Sequence, residues 1–223
     1  MSHPHHDIFE SRKQFQLERI ILFSDAVFAI AITLLIIEIK IPHFEQRPTQ
    51  QQLANALLEK LPDFIGFIIS FFVIGQFWGN HHRLFGYMTD YSPGLIWLNL
   101  LMLFWVVLMP FSTYLNMQYG YLDITWLWYS LNLTLISLSF FLIWRYVGKH
   151  GHLCYMSSDK TFMKFAKRRS VIVTVIFLAG GLLTLLPWFP AKWVSRFNYL
   201  LIFPAMKYLN RSHQKQIKKA ASN

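Results

Sequence analysis

The sequence predicts an all-α integral membrane protein with six transmembrane helices, and three observations point there. The 223 residues are 54% hydrophobic and only 14% charged, whereas a soluble domain carries roughly 25% charged residues. The apolar residues come in blocks. A spanning helix needs roughly 20 of them, and Ile20 to Ile37 is broken only by Ser24, Asp25 and Thr33. Lys and Arg are also divided unevenly between the loops that separate these blocks.

Six spans follow, near 18–39, 63–84, 94–117, 123–146, 169–189 and 192–209. The first five are strongly apolar. The sixth contains Arg196, Asn198 and Pro204, and an interfacial helix is its alternative reading. With six spans, one side holds sixteen of the 21 Lys and Arg, among them Arg12, Lys13, Arg19, Arg83, Arg145, Lys149, Lys164 to Arg169 and the tail from Lys207. The other side holds Lys40, Arg47, Lys60, Lys192 and Arg196. Basic residues accumulate in short cytoplasmic loops, so both termini are expected inside a cell membrane. Without the sixth span the basic tail would lie outside. The organisation is then a cytoplasmic segment 1–17, a transmembrane domain 18–209 and a basic cytoplasmic tail 210–223.

Between the first two spans, Gln51 to Leu61 is amphipathic and reads as a short surface helix. Trp78, Tyr119, Tyr121, Trp126, Trp144, Trp188 and Trp193 fall near span ends, where an interfacial aromatic belt is expected. Gly180-Gly181 suits close helix packing, and Pro110 a tolerated kink.

Several function classes drop out. The net charge of +10 is explained by topology rather than by nucleic acid. One cysteine, Cys154, permits no intrachain disulfide. Met1 to Arg19 is polar and lacks a cleavable-signal pattern, and His3, His5 and His6 carry no weight in the fold. No G-x-S-x-G, P-loop or H-E-x-x-H is present, so an enzyme is not expected, nor is a cofactor. His81 and His82 point about 100° apart on a helix and make a poor zinc site. His150, His152 and Cys154 alternate in a loop that reads as solvated rather than metal-binding.

Polar residues inside the spans carry the functional signal. A carboxylate at the depth of Asp25 costs roughly 2.5–3.5 kcal/mol, so it should face protein and have a partner. The second span ends Trp78-Gly-Asn-His-His-Arg83 at about the same depth. Asn80, His81 or Arg83 is expected to bond Asp25 or Ser24. On the first helix, Ile30, Leu34, Ile37 and Ile41 share a face, Ala26 extends it and Thr33 borders it, while Asp25, Ala29, Ile32 and Ile36 lie elsewhere. By periodicity alone, such a stripe reads as a lipid contact.

Arg19, Phe23, Ser24 and Asp25 form R-x-x-x-F-S-D at the start of the first span. Together with Phe77-Trp-Gly-Asn-His-His-Arg-Leu-Phe, Leu98-Asn-Leu and Met109-Pro-Phe, this resembles the prokaryotic branch of the transmembrane protein 175 family of potassium channels, over about the first 120 residues. The resemblance implies a homotetramer of six-span subunits, four first helices around a central pore, and a narrow part built from aliphatic side chains. Carried to this chain, the lining positions are Ile30, Leu34 or its neighbour Thr33, and Ile37, which reverses the lipid reading of the stripe. The motif network is Arg19, Phe23, Ser24, Asp25, Asn80, His81 and His82.

The implied function is a potassium-permeable channel. No T-V-G-Y-G filter is present, and an aliphatic ring closes by dewetting. Thr33 either presents its hydroxyl to a permeating K+ or bonds a carbonyl one turn back. Glu38 either attracts cations at the mouth or pairs with Lys40 or Lys60. Arg19 pairs with Glu18 or Asp25 of a neighbouring helix. The alternative function is a proton leak or proton-coupled transporter with Asp25 and His81 as relay. A stripe with no titratable group beyond Asp25 favours the channel.

Overall fold

The computed structural model describes residues 4–187 and 194–221, with side chains for 12–187 and 194–214. The described residues are helical and include no strand. Besides a short helical stretch at 194–197, the α-helices among the described residues are, in order, α1 Pro4–Ile37, α2 Gln50–Glu59, α3 Leu61–Phe85, α4 Pro93–Val107, α5 Met109–Tyr119, α6 Asp123–Val147, α7 Lys160–Leu183 and α8 Ile202–Ala221. α1 runs unbroken from Pro4, so the boundary drawn at residue 18 falls inside a helix. Trp188, Trp193, His3 and the start of the expected sixth span lie outside the described residues.

α6 is the hub of the bundle, packing most extensively on α7 and then on α4 and α5. Its apolar face, Tyr129, Leu133, Ile136, Phe140, Ile143 and Val147, repeats at spacings of 4 and 3 and is buried throughout, as one helix face requires. Hydroxyls line much of the rest. Thr113 Oγ1 donates to Ser70 Oγ at 2.9 Å, Ser70 shares a 3.3 Å hydrogen bond with the Tyr129 hydroxyl, and Asn132 Nδ2 donates to Ser112 Oγ at 2.9 Å. Short side chains and interhelical hydrogen bonds take the place of a hydrophobic drive when lipid surrounds the bundle.

α4 and α5 form one pass broken at Leu108. Pro110, in the first turn of α5, has no N–H to continue the α4 ladder, and the Leu108 carbonyl instead accepts the Ser112 backbone N–H at 3.0 Å and its hydroxyl at 2.9 Å. α2 matches the expected surface helix. Thr49 and Gln52 close a capping box at its start, and Leu53, Leu57 and Leu58 remain exposed. Lys60 donates to Asp63 at 3.1 Å, so it is engaged with Asp63 rather than with Glu38.

Arg12–Ile37, Leu61–Phe85, Pro93–Tyr119 and Asp123–Val147 are long and apolar enough to cross a membrane. α7 and α8 fall short of that. α7 carries Lys160, Lys164, Lys167, Arg168 and Arg169 in its first half, which leaves an apolar run shorter than the roughly 20 residues of a full span. α8 is basic and amphipathic. The chain from 194 onward nevertheless runs antiparallel to α7. Arg196 donates to the Gly120 carbonyl at 2.9 Å, Asn198 Nδ2 to the Ile176 carbonyl at 2.8 Å, Tyr199 meets Ser130 at 2.6 Å, and His213 stacks on Phe165 at 4.2 Å.

The aromatic belt is corrected in part. Tyr119 and Tyr121 are exposed, but Trp144 is a core residue, and Trp126 stacks between Tyr129 and Tyr199. Gly180 and Gly181 are close-approach points as expected. A Cβ on Gly180 would meet the Tyr199 ring at 2.7 Å and the Asn198 amide at 2.8 Å, and one on Gly181 would lie 3.0 Å from Ser130 Cβ. Gly180→Ala should cost about 1–3 kcal/mol, the usual range for overpacking, read as a lowered unfolding midpoint in detergent. A Gly75→Ala control, where nothing lies within 4 Å, should be neutral.

Candidate functional site

The motif on α1 places two adjacent polar side chains in opposite kinds of surroundings. Ser24 is fully buried. Its hydroxyl donates to the Ile20 carbonyl at 2.8 Å, back along its own helix. With its one proton spent, the oxygen accepts from Asn99 Nδ2 at 2.9 Å, and Asn99 Oδ1 then lies 3.0 Å from His81 Nε2. An amide oxygen only accepts, so the chain of bonds assigns the proton to His81 Nε2. His81 Nδ1 is left as a buried acceptor with no hydrogen-bond partner among the described residues. The ring sits between Phe85, stacked at 4.3 Å, and Phe28 at 5.6 Å.

Asp25, one residue on, turns about 100° away. Its carboxylate accepts the Trp78 indole N–H at 2.9 Å. Trp78 stands one turn before His81 on α3, with the exposed His82 ring 5.8 Å away. The expected partnership is therefore corrected. Ser24 and His81 are brought together, but through Asn99. Asp25 bonds Trp78, and neither Asn80 nor His81. Asn80 accepts from Arg83 at 2.7 Å and from Arg169 at 3.0 Å instead. Arg19 and Phe23 are exposed. Asn99 was missed although its signal is plain, because α4 is otherwise wholly apolar in side chain after Pro93 and an amide in such a helix is costly unless paired.

The rest of α1 divides into two faces. Ser24, Phe28, Ala31 and Leu35 are at most 1% exposed. Opposite them, Ile30 is 58% and Ile37 63% exposed, while Leu34, at 37%, lies on the edge. Ala26 and Thr33 are also exposed, and being seven residues apart they share the centre of this outer face. Thr33 Oγ1 donates to the Ile30 carbonyl at 2.9 Å, which leaves its oxygen lone pairs pointing outward. α3 also has an outer face, bulky along Ile65, Ile68, Ile69 and Phe72 and continued by Gly75, Gln76 and Gly79.

Of the loop histidines, His152 is exposed, as a solvated loop requires, and His150 is half-buried. His150 stacks on Tyr146, and its Nδ1 lies 3.0 Å from the Tyr146 carbonyl. Cys154 is buried beside Met88 in an isolated antiparallel bridge, and burial pushes its thiol pKa up. No group of three metal-ligating side chains comes together among the described residues.

Replacing Asn99 by Leu strips partners from two buried groups, at about 1–3 kcal/mol for each. Trp78→Phe removes one bond at a half-exposed site and should cost no more than about 1 kcal/mol. Thermal unfolding in detergent ranks the two variants. A larger loss in Trp78→Phe would displace Asn99 from the centre of the network.

Residues 19–110 match the family model described as the endosomal/lysosomal potassium channel TMEM175. A potassium channel of Streptomyces collinus is 37% identical over 139 residues, 60% of this chain and 66% of that protein. One of Chamaesiphon minutus is 40% identical over 110 residues, 49% of this chain and 54% of that protein. The chicken (Gallus gallus) endosomal/lysosomal proton channel TMEM175 is 34% identical over 110 residues, only 22% of its own length. These matches thus span two thirds or less of each relative. The crystal structure of a lysosomal potassium-selective channel TMEM175 homolog from Chamaesiphon minutus superposes with a TM-score of 0.71 at 26% identity, covering 89% of this chain and 98% of that one. The family-model match over residues 19–110, the bacterial potassium channel relatives and the likeness over nearly the whole bundle together support placing this chain among the prokaryotic members of the TMEM175 family.

Proposed function

We propose that the chain is the subunit of a potassium-permeable cation channel, a homotetramer in which six helices of each subunit cross the cell membrane and α1 lines a central pore. The observation that carries this reading is the composition of the outer face of α1. A helix face in contact with lipid has no reason to be lined by small residues at its middle, and the Ile65–Phe72 stretch of α3 is bulky throughout its outer side. On α1 the outer face holds Ala26, Ala29 and Thr33 beside Ile30 and Ile37, and small residues are what close helix association selects. Potassium channel relatives at 37% and 40% identity support the same reading.

The pore then narrows at rings of Ile30 and Ile37, with Leu34 at the flank. Four aliphatic side chains leave no room for a hydrated ion and offer nothing in place of its shell, so the closed ring is dry and the barrier is dehydration. Thr33 sits between them. Because its proton is committed to the Ile30 carbonyl, its oxygen faces the axis as an acceptor. Four such oxygens favour the cation whose shell is cheaper to strip, and K+ is the permeant ion they suit. No cofactor enters this mechanism. The charge asymmetry favours both termini in the cytoplasm, and the antiparallel run of α7 and the 194–213 segment supports a fifth and a sixth pass, although neither is as long and apolar as the other four.

Proton passage is the second reading, favoured by the name of the animal relatives. Asp25 is clamped by Trp78 rather than linked to His81, and the stripe from Ala26 to Ile37 has no titratable side chain, so protons would need a water file instead of a side-chain relay. Flux from liposomes under a K+ gradient, repeated with Na+ and with a proton gradient alone, separates the two. Proton current without K+ flux overturns the first reading.

Ile30→Asn should wet the constriction and raise basal K+ flux by about tenfold or more, since each ~1.4 kcal/mol removed from the barrier is tenfold in rate, and should narrow the preference for K+ over Na+. Thr33→Ala should lower selectivity with little change in the closed state. Bi-ionic reversal potentials read both. Unchanged current and selectivity in Ile30→Asn would return the stripe to lipid. A C-terminal tag should resist protease on intact cells, and its cleavage there would refute the topology.

A further inference from the structure

At the basic end of the bundle, where α3, α6 and α7 meet, lies a cavity of about 120 Å³. A water needs roughly 10–15 Å³ of such space, so it holds several waters or one tetrahedral anion. Its polar lining is Asn80, Arg83, Tyr87, Ser137, Arg169 and Ser170, the remainder is apolar and largely aromatic, and no carboxylate lines it. Arg83 and Arg169 reach into it from different helices and donate to the same atom, Asn80 Oδ1, at 2.7 and 3.0 Å.

Two like charges held on one neutral oxygen repel each other. That oxygen has two lone pairs, both used, whereas each guanidinium carries five N–H donors. Neither arginine has an ion-pair partner among the described residues, whose bridges are Lys13–Asp90 and Lys60–Asp63. The two serine hydroxyls do not relieve them, since Ser137 donates to the Ser170 carbonyl and Ser170 to the Ala166 carbonyl. An excess of charged donors converges on a cavity that supplies no anion of its own.

We propose that this cavity binds a phosphate-bearing anion, with Arg83 and Arg169 as the paired donors and Asn80 as the post that orients them. Planar guanidinium forks match the oxygens of a phosphate group in pairs. The site stands apart from the α1 stripe, so it makes no demand on which ion permeates. The phosphate has two possible sources: the headgroup of an anionic membrane lipid, for which basic pockets between helices at this level are suited, or a soluble phosphate.

The test uses the full chain in phosphatidylcholine nanodiscs, with unfolding temperature and native mass spectrometry as readouts. One arm titrates inorganic phosphate at constant ionic strength, and the other replaces phosphatidylcholine stepwise by phosphatidylglycerol. A saturable rise in unfolding temperature with a retained ligand is expected in one arm, which identifies the source. Arg83→Gln and Arg169→Gln should each weaken it about tenfold or more, the scale of a charged hydrogen bond. Arg168→Gln, at an exposed residue outside the lining, should leave it unchanged. If Arg169→Gln does not fold, the exposed Arg83→Gln decides by the same measure. No saturable shift in either arm overturns the proposal. So does a shift that survives Arg83→Gln, or one that Arg168→Gln abolishes equally.

Discussion

The bond chain from Ser24 through Asn99 to His81 is the constraint on which the arrangement of the first three passes depends. Each of the three groups is fully buried or nearly so, and each sits on a different helix. An unpaired polar group in such a place costs more than a mispacked methyl. Because every donor and acceptor in the chain is directional, the rotation of α1 about its own axis follows. Turning α1 so that Ser24 meets Asn99 turns Phe28, Ala31 and Leu35 inward as well, and leaves Ala26, Ile30, Thr33 and Ile37 outside. Which face of α1 stays outside is set by a serine two turns below it.

Asp25 shows the same economy from the other side. A carboxylate next to a buried serine would be expensive if the helix were straight-faced, but a rotation of 100° per residue carries it to the rim. There a tryptophan N–H suffices. The half-exposed Trp78 thus serves the motif from the rim, and Asn80 is free to hold the two arginines of the α3–α6–α7 cavity. One six-residue stretch, Trp78 to Arg83, sends consecutive side chains to three separate sites.

The second half of the bundle rests on different physics. α6 and α7 are joined by small and hydroxyl side chains, with Gly180 and Gly181 letting Tyr199 and Ser130 approach. Thr174, Ser137 and Ser170 interlock there. This tolerates the basic first half of α7, whose Arg169 would be intolerable against lipid but is accepted where Asn80 and the cavity meet it. Composition therefore understates these elements. The run beyond residue 194 lies along α7 despite its charge, held by the Asn198 bond to Ile176, by Tyr199 against Phe177 and by apolar contacts of Ile202 and the buried Leu209.

The sequence by itself determined that the chain is helical and membrane-embedded, where α1, α3, the α4–α5 pass and α6 lie, and that polar residues near Asp25 form a network. Those features follow from block hydropathy, from the cost of buried charge and from one local motif, all of which are properties of neighbouring residues in the chain. Only the tertiary structure decided which polar groups meet. Asn99 is 75 residues from Ser24 and Trp78 is 53 from Asp25, and Arg169 reaches Asn80 across 89 residues. No periodicity relates such positions; they meet because helices pack at particular rotations and depths. The same reason moved Thr33 from the border of the α1 stripe to its centre: a helical wheel gives relative angles between residues, while the zero of that wheel is supplied by the helices packed against it.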